Sequence, residues 1–417
     1  MDAGSPKRTI LIILLSSGLV FAGSGLLQTM LPMRADRADF STSMIGFLGT
    51  AYFVGFIAGC ILGPRLIRNV GHIRAYSGVV ALLAALCILF PLWVDPYFWS
   101  GIRFLSGICL AITIMTLESW LNDQASNETR GRILSLYIII SNAGWIAGQL
   151  GINLSSLTGT TLFILVTVAV CLSVAPVALT TTREPEPVPD ARLDLKGLFG
   201  LSPVGVIGCF LVGTAEGAFW SLAPVFGQQR GLEVLEVTLL MGAFVLGGSL
   251  SQWPIGRISD DHDRRIVILP VALATVVSGL TIAAIGNLAT APTLILALIH
   301  GALMIPIYSL CIAHVNDSAP TERFVQVSGG LLLVYSAGAA LGPLAAAPLM
   351  EGYGPGGLFV FISGVLAVFA LAIAIRLVST RRLARAFPGR YAPSPRTTQS
   401  VYELESDDPP EAAGSRT

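Results

Sequence analysis

Charge is what this chain has least of. Only 12% of its 417 residues are Asp, Glu, Lys or Arg, about half the share usual in a water-soluble protein. The 25 basic and 25 acidic residues balance, so the basic surface that a nucleic-acid partner needs is absent. Histidine is scarce, and no second His or Cys stands at ligand spacing from His300, so no metal is expected. The cysteines Cys60, Cys87, Cys109, Cys171, Cys209 and Cys311 all sit inside apolar runs, without a CxxC or any paired spacing. They read as small apolar fillers. A Walker A pattern is also absent, which argues against ATP as an energy source. No nucleophile–base pair is visible within the apolar runs, so an enzyme is not expected, and no cofactor is implied.

What fills the chain is apolar, at 53%. A spanning helix needs roughly 20 such residues, and twelve segments meet that length. They run over 9–31, 42–64, 76–95, 98–120, 133–155, 160–181, 203–225, 235–256, 266–286, 291–313, 326–349 and 356–377. In hydrocarbon each backbone polar group needs an internal partner, which helices supply. Barrel strands would alternate at about 10 residues instead. The first run follows MDAGSPKR and continues into a full span, so it reads as an uncleaved helix rather than a signal peptide. With the N-terminus in the cytoplasm, the outer loops hold only Arg34, Arg37 and Arg230. Arg103 falls inside the fourth span, and the other basic residues face the cytoplasm. The positive-inside rule therefore puts both termini in the cytoplasm.

The chain divides in two. Residues 1–182 hold six spans, 183–198 form a Pro-rich charged linker, and 199–380 hold six more. Residues 381–417 have the composition of a disordered tail. The halves also repeat each other. Asn122-Asp123 with Glu128 matches Asn316-Asp317 with Glu322 at an offset of 194, and Gly144 and Gly148 fall on Gly338 and Gly342 in the same register. Gly25 and Pro32 map onto Gly217 and Pro224 at an offset of 192. Two parallel six-helix repeats are a transporter architecture.

On these residues the chain resembles the major facilitator superfamily. That family's loop motif is Gly, three residues, Asp, then a basic pair after three more. Gly256-Arg257-Ile258-Ser259-Asp260 followed by Arg264-Arg265 fits it, with Asp261 and Asp263 in place of the usual basic residue and glycine. The equivalent stretch, Gly63-Pro64-Arg65-Leu66-Ile67-Arg68 and then Gly71-His72-Ile73-Arg74, lacks the acid. Arg103 with Gly107 resembles the family's Arg-x-x-x-Gly feature, and Gly338 with Gly342-Pro343 resembles its Gly-Pro motif. Leu117-Glu118-Ser119-Trp120 and Gln252-Trp253-Pro254-Ile255-Gly256-Arg257 resemble the YcaD-like branch. The resemblance implies an all-α integral membrane protein whose twelve transmembrane helices form two pseudo-symmetric six-helix bundles, the major facilitator fold. It also implies a central cavity walled by spans 1, 4, 7 and 10.

Ionisable side chains inside a membrane are expensive unless they face a cavity or a partner. Glu216, near the middle of span 7, is the leading candidate for proton acceptor or substrate counter-ion; a structural, hydrogen-bonded acid is the plainer alternative. Trp220 lies one turn further along the same face, as a packing or stacking wall. Arg103 either receives an anionic group or is structural. Glu118 lies 15 residues further on, roughly 22 Å of helical rise, too far to pair with it. His300, near the centre of span 10, can hydrogen-bond or titrate. Gln28, Asn142 and Tyr335 are candidate hydrogen-bonding groups for a solute. The cytoplasmic gate set is Asp260, Arg264, Arg265, Gly256, Glu118, Glu128, Arg130, Arg132, Glu322 and Arg323, with solvated loop charge as the alternative reading. Such pairs would clamp the halves together on the cytoplasmic side when the cavity opens outward.

The function expected is secondary active transport of a small solute by alternating access, with protons as the coupling ion. Few polar groups converge, which favours efflux over uptake of a metabolite. A sensing receptor on a transporter fold remains open at this point. The expected setting is a monomer in the lipid bilayer of a bacterial inner membrane.

Overall fold

The computed structural model describes residues 6–125, 129–178, 195–285, 290–319 and 324–379. Within them the chain is helical, and twelve helices are long and apolar enough to cross a membrane. The first six are α1 (Pro6–Arg37), α2 (Thr42–Val70), α3 (His72–Leu89), α4 (Pro96–Asp123), α5 (Arg130–Gly151) and α6 (Thr161–Ala178). A short helix, α7 (Leu195–Leu201), precedes the second six. These are α8 (Pro203–Gln229), α9 (Val234–Asp260), α10 (Arg264–Ala284), α11 (Thr290–Asn316), α12 (Phe324–Tyr353) and α13 (Gly357–Ser379). Residues 183–194 of the expected linker and the whole expected tail, 381–417, lie outside the described residues. Residues 195–198, expected to be linker, are helical instead. Leu198 is buried there and packs on Gly330 of α12, so an apolar anchor overrides the local charge pattern.

Caps fix where the helices start. The carboxylate of Asp95 accepts from the Phe98 N–H, with Pro96 as the first residue of α4. Ser202 accepts from the Gly205 N–H ahead of Pro203 in α8. Both combine an N-terminal acceptor with a proline whose missing N–H costs nothing at that position.

Each half packs in the same way. α1 lies on α5, α2 on α4 and α3 on α6; correspondingly α8 lies on α12, α9 on α11 and α10 on α13. The repeated glycines explain the first pairing. A Cβ on Gly144 would strike the Gly18 carbonyl, and one on Gly148 the Ala22 carbonyl. In the second half Gly338 and Gly342 face the Phe210 and Thr214 carbonyls in the same manner. Gly25 and Gly217 return the contact, against Trp145 and Ala339. Among these glycines the offset of 192 relates α1 to α8 and that of 194 relates α5 to α12, the two helices of one pair in each half. Backbone-to-backbone approach of this kind is how small residues hold helices together where lipid removes the hydrophobic drive.

With an even number of spans, α1 begins and α13 ends at the same face of the bundle, here termed the termini face. The halves meet at the opposite face. There the Ser43 N–H and hydroxyl donate to the two carboxylate oxygens of Glu351, at 2.8 and 2.9 Å. The Gln229 amide donates to Asp36 at 3.1 Å, the Thr50 hydroxyl to the Ala340 carbonyl at 2.7 Å, and the Asn153 amide to Thr238 at 3.1 Å. Backbone contact at Gly46, against the Pro343 carbonyl, completes this seal.

Candidate functional site

Below the seal the halves diverge around a cavity of about 230 Å³. Its wall is built from α1 (Phe21, Gln28), α2 (Tyr52, Phe53, Phe56), α4 (Leu110, Ile114) and α5 (Tyr137, Ile138, Ser141, Asn142, Trp145). The other half supplies Trp220 of α8, Val245, Ser249 and Gln252 of α9, Ile305 of α11, and Leu332, Tyr335 and Ser336 of α12. These positions run from mid-depth toward the termini face, and Ser249 on the wall is solvent-exposed. The cavity is therefore open to that side and closed on the other. Trp145 and Trp220 meet edge to face across the interface, with ring centroids 5.9 Å apart. Asn142 donates to Ser249 at 3.2 Å across the same gap.

The wall differs from the expected one. Spans 1, 4, 7 and 10 do contribute, but most lining side chains come from α2, α5, α9 and α12. Those helices flank the seam between the halves, so opening one end exposes their faces first.

Gln28, Trp220, Asn142 and Tyr335 are all on the wall. Glu216 and Arg103 stand one side chain behind it. The carboxylate of Glu216 is fully buried and accepts a hydrogen bond of 2.6 Å from the Tyr335 hydroxyl. That length lies at the short end of the ordinary O–H···O range. The Tyr308 ring holds the phenol in place, 4.6 Å from it between centroids. Arg103 is also buried. Its Nη2 donates to Gln28 Oε1 at 2.8 Å, and its guanidinium lies 4.3 Å from the Tyr52 ring centroid, a cation–π distance.

His300 is not brought to the cavity. It is buried inside the second half among Phe219, Phe244 and Phe359, and its Nδ1 shares a hydrogen bond of 2.8 Å with Ser278. Tyr335, on the neighbouring α12, reaches the cavity in its stead. Glu118 is buried within the first half and accepts from the Tyr137 hydroxyl at 3.2 Å. It braces a wall residue five residues before the end of α4, close to the termini face.

The remaining gate residues lie at the termini face. Arg264, the first residue of α10, donates from Nη2 to Asp317 at 3.1 Å and from Nη1 to Asp260 at 3.3 Å. Its Nε also pairs with Asp317. Arg265 pairs with Asp263 at 2.7 Å, and this guanidinium holds the Asp263 carboxyl below the usual carboxylate range. Gly256 is buried one turn before Asp260, and Arg132 is exposed. Glu128, Glu322 and Arg323 lie outside the described residues, as does the side chain of Arg130. The ion pairs described here lie within one half, about the ends of α9, α10 and α11, rather than between the halves as expected. In the first half, which lacks the motif's acid, His72 at the start of α3 bonds Ser119 of α4 at 3.0 Å. A neutral pair thus takes the place of an ion pair. Asp317→Asn strips the nearly buried Arg264 of its main counter-charge. It should destabilise the protein by about 3 kcal/mol, read as a lower unfolding midpoint in detergent, whereas Ser119→Ala should have a smaller effect.

Nothing in the sequence marks Tyr52, Phe53, Phe56, Tyr137 or Trp145 as wall residues. An aromatic residue in an apolar run looks the same whether it faces lipid or a cavity. Ser249 and Gln252 had a weak signal, as polar residues one turn apart in a span.

Comparison with known proteins agrees with this geometry. The profile described as Major Facilitator Superfamily matches residues 13–235 and 205–404. The MFS-type transporter YcaD of Salmonella typhimurium is 28% identical over 370 residues, covering 88% of this chain and 95% of that protein. An MFS-type transporter of Enterobacter sp. strain 638 is 27% identical over 369 residues, covering 88% and 95%. Among solved structures, the nucleoside transporter NupG superimposes with a TM-score of 0.73 at 13% identity, over 88% of this chain and 98% of its own. A bacterial homologue of the human lysosomal transporter Spinster, in an inward-facing and unoccupied conformation, gives 0.69 at 16% identity, over 93% and 100%. At these identities the structural likeness concerns the fold.

Proposed function

The chain belongs to the Major Facilitator Superfamily and is a YcaD-like membrane transporter; from that premise we propose that it moves a small amphipathic solute by alternating access, driven by protons and in the outward direction. The observation that carries this reading is a fully buried carboxylate, Glu216, separated from a mostly apolar cavity between the halves by one phenol, Tyr335; Glu118 stands behind Tyr137 in a similar way, closer to the termini face. A carboxylate in that place is costly when ionised and unaccompanied, so its proton occupancy and the state of the cavity affect each other. Six polar wall residues, Gln28, Ser141, Asn142, Ser249, Gln252 and Ser336, all uncharged, leave the rest of the chamber to apolar and aromatic side chains, which suits export of varied amphipathic compounds.

Both termini face the cytoplasm of a bacterial inner membrane, a reading that the basic residues of the loops support. The cavity then faces inward, and the Ser43–Glu351 seal lies on the outside. The two halves of one chain enclose the whole chamber, so a monomer suffices. Rocking of the halves about this chamber closes the termini face and opens the other.

The test is flux by purified protein in liposomes, with a panel of anionic, neutral and cationic amphipathic fluorophores. At least one should accumulate under an imposed pH gradient and leak back when a protonophore is added. Movement of none above empty liposomes, or accumulation indifferent to the gradient, would refute the proposal.

A further inference from the structure

Arg103 is a buried cation for which the fold supplies no anion. Only 5% of it is exposed, and among the described residues no carboxylate lies within salt-bridge reach. Gln28 takes one of its N–H groups and Tyr52 covers one face of its guanidinium. A guanidinium carries five donors, so most of its hydrogen-bonding capacity is uncommitted.

The surrounding polar groups share that condition. The hydroxyls of Ser106 and Ser221, both nearly fully buried, have no hydrogen-bond partner, and neither does the indole N–H of Trp145. Ser106, Trp145 and Arg103 line one small chamber of about 20 Å³; Ser221 and Arg103 line another of about 10 Å³. Each has room for about one water-sized group, which is the size of a carboxylate oxygen. Gln28 lines both chambers and the main cavity as well, and Tyr52 and Trp145 line the main cavity and the larger chamber. The chambers are thus the deep end of the cavity, directly beneath the sealed face. Gly49 lets the Ser221 hydroxyl in, because a Cβ there would overlap it.

We propose that the transported solute is an organic acid, with its apolar or aromatic body in the main cavity and its carboxylate received by Arg103. The guanidinium fork matches a carboxylate in shape and charge, and Ser106, Ser221 and Trp145 add donors around it. Neutral and cationic solutes gain nothing from this arrangement. Ser221 comes from α8 and the other groups from the first half, so a bound carboxylate bridges the halves where they are closed. The inference rests on the reading of this cavity as the solute path.

The test is equilibrium binding by calorimetry to the full chain in nanodiscs, with empty nanodiscs as the blank. The probes are benzoate, 2-naphthoate and 4-biphenylcarboxylate, each paired with its carboxamide, and acetate alone. At least one acid should bind about 10-fold more tightly than its amide. That preference should vanish in Arg103→Gln and persist in part in Arg103→Lys. Should Arg103→Gln fail to fold, the Ser106→Ala, Ser221→Ala double variant serves, with acid binding about fivefold weaker and amide binding unchanged. Amides binding as well as acids, no acid binding at all, or a preference untouched by these substitutions each overturn the inference. So does acetate binding as tightly as the aryl acids, which would make the pocket a site for small anions. Binding is measured without flux: acid preference without transport counts against the transport reading alone, and transport without acid preference counts against this inference alone.

Discussion

Glu216→Gln should abolish proton-driven flux, lowering it by about 100-fold or more to the level of empty liposomes, while the protein still inserts and folds. Gln is nearly isosteric, and its carbonyl oxygen accepts the Tyr335 hydroxyl in the same place, so the local loss of stability is about 1 kcal/mol. What the substitution removes is the ability to gain and lose a proton. In the state seen here the carboxylate is fully buried while its phenol partner stands on the wall of the open cavity. A proton arriving from the cavity therefore reaches Glu216 through or past Tyr335. Tyr335→Phe should slow coupling without eliminating it, because the carboxyl remains. Solute exchange without a pH gradient should survive in both variants. Wild-type coupling by the Gln variant would take Glu216 out of the mechanism and leave it as a packing residue.

The parts of this protein that the sequence discloses are those set by the bilayer. Hydrocarbon demands long apolar helices, and all twelve are legible as runs. Their ends are less so. The eighth segment, read as 235–256, is the helix Val234–Asp260, because hydropathy ends where charge begins while the helix continues to Arg257 and Asp260. The duplicated glycines also carried real information, since each pair marks a backbone contact between two helices of one half. The site was harder to read. Rare buried polar groups such as Glu216, Arg103 and Gln28 stand out because each needs a reason to be in a membrane. His300 stands out equally, yet it is satisfied within an aromatic nest away from the cavity. The wall of α2, and of α5 apart from Asn142, was invisible, since which face of an apolar helix meets the seam is decided by its neighbours and not by its own composition.

A wedge at the seal should have the second large effect. α2 crosses α12 so closely that a Cβ on Gly46 would lie 2.6 Å from the Pro343 carbonyl oxygen and 3.0 Å from the Ala347 methyl. Gly46→Leu adds a whole side chain at that point, and overpacking of this kind costs about 1–3 kcal/mol. In the proposed rocking of the halves this contact is lost when the sealed face opens, so the cost falls on one conformation and not on folding. About 2 kcal/mol displaces the equilibrium roughly 30-fold toward the state open at that face. Transport needs both states, so flux should fall more than about 10-fold. Ser43, whose hydroxyl and N–H are bonded to Glu351 in the seal, reports the shift directly. A cysteine placed there, in a background without the native thiols, should react faster with a membrane-impermeant maleimide once Gly46 is Leu. Gly144→Leu offers the contrast. Its clash, with the Gly18 carbonyl, lies inside one half and persists in both states, so it should lower the yield of folded protein without favouring either face. Unchanged labelling at position 43 alongside unchanged flux would mean that α2 and α12 do not separate during the cycle.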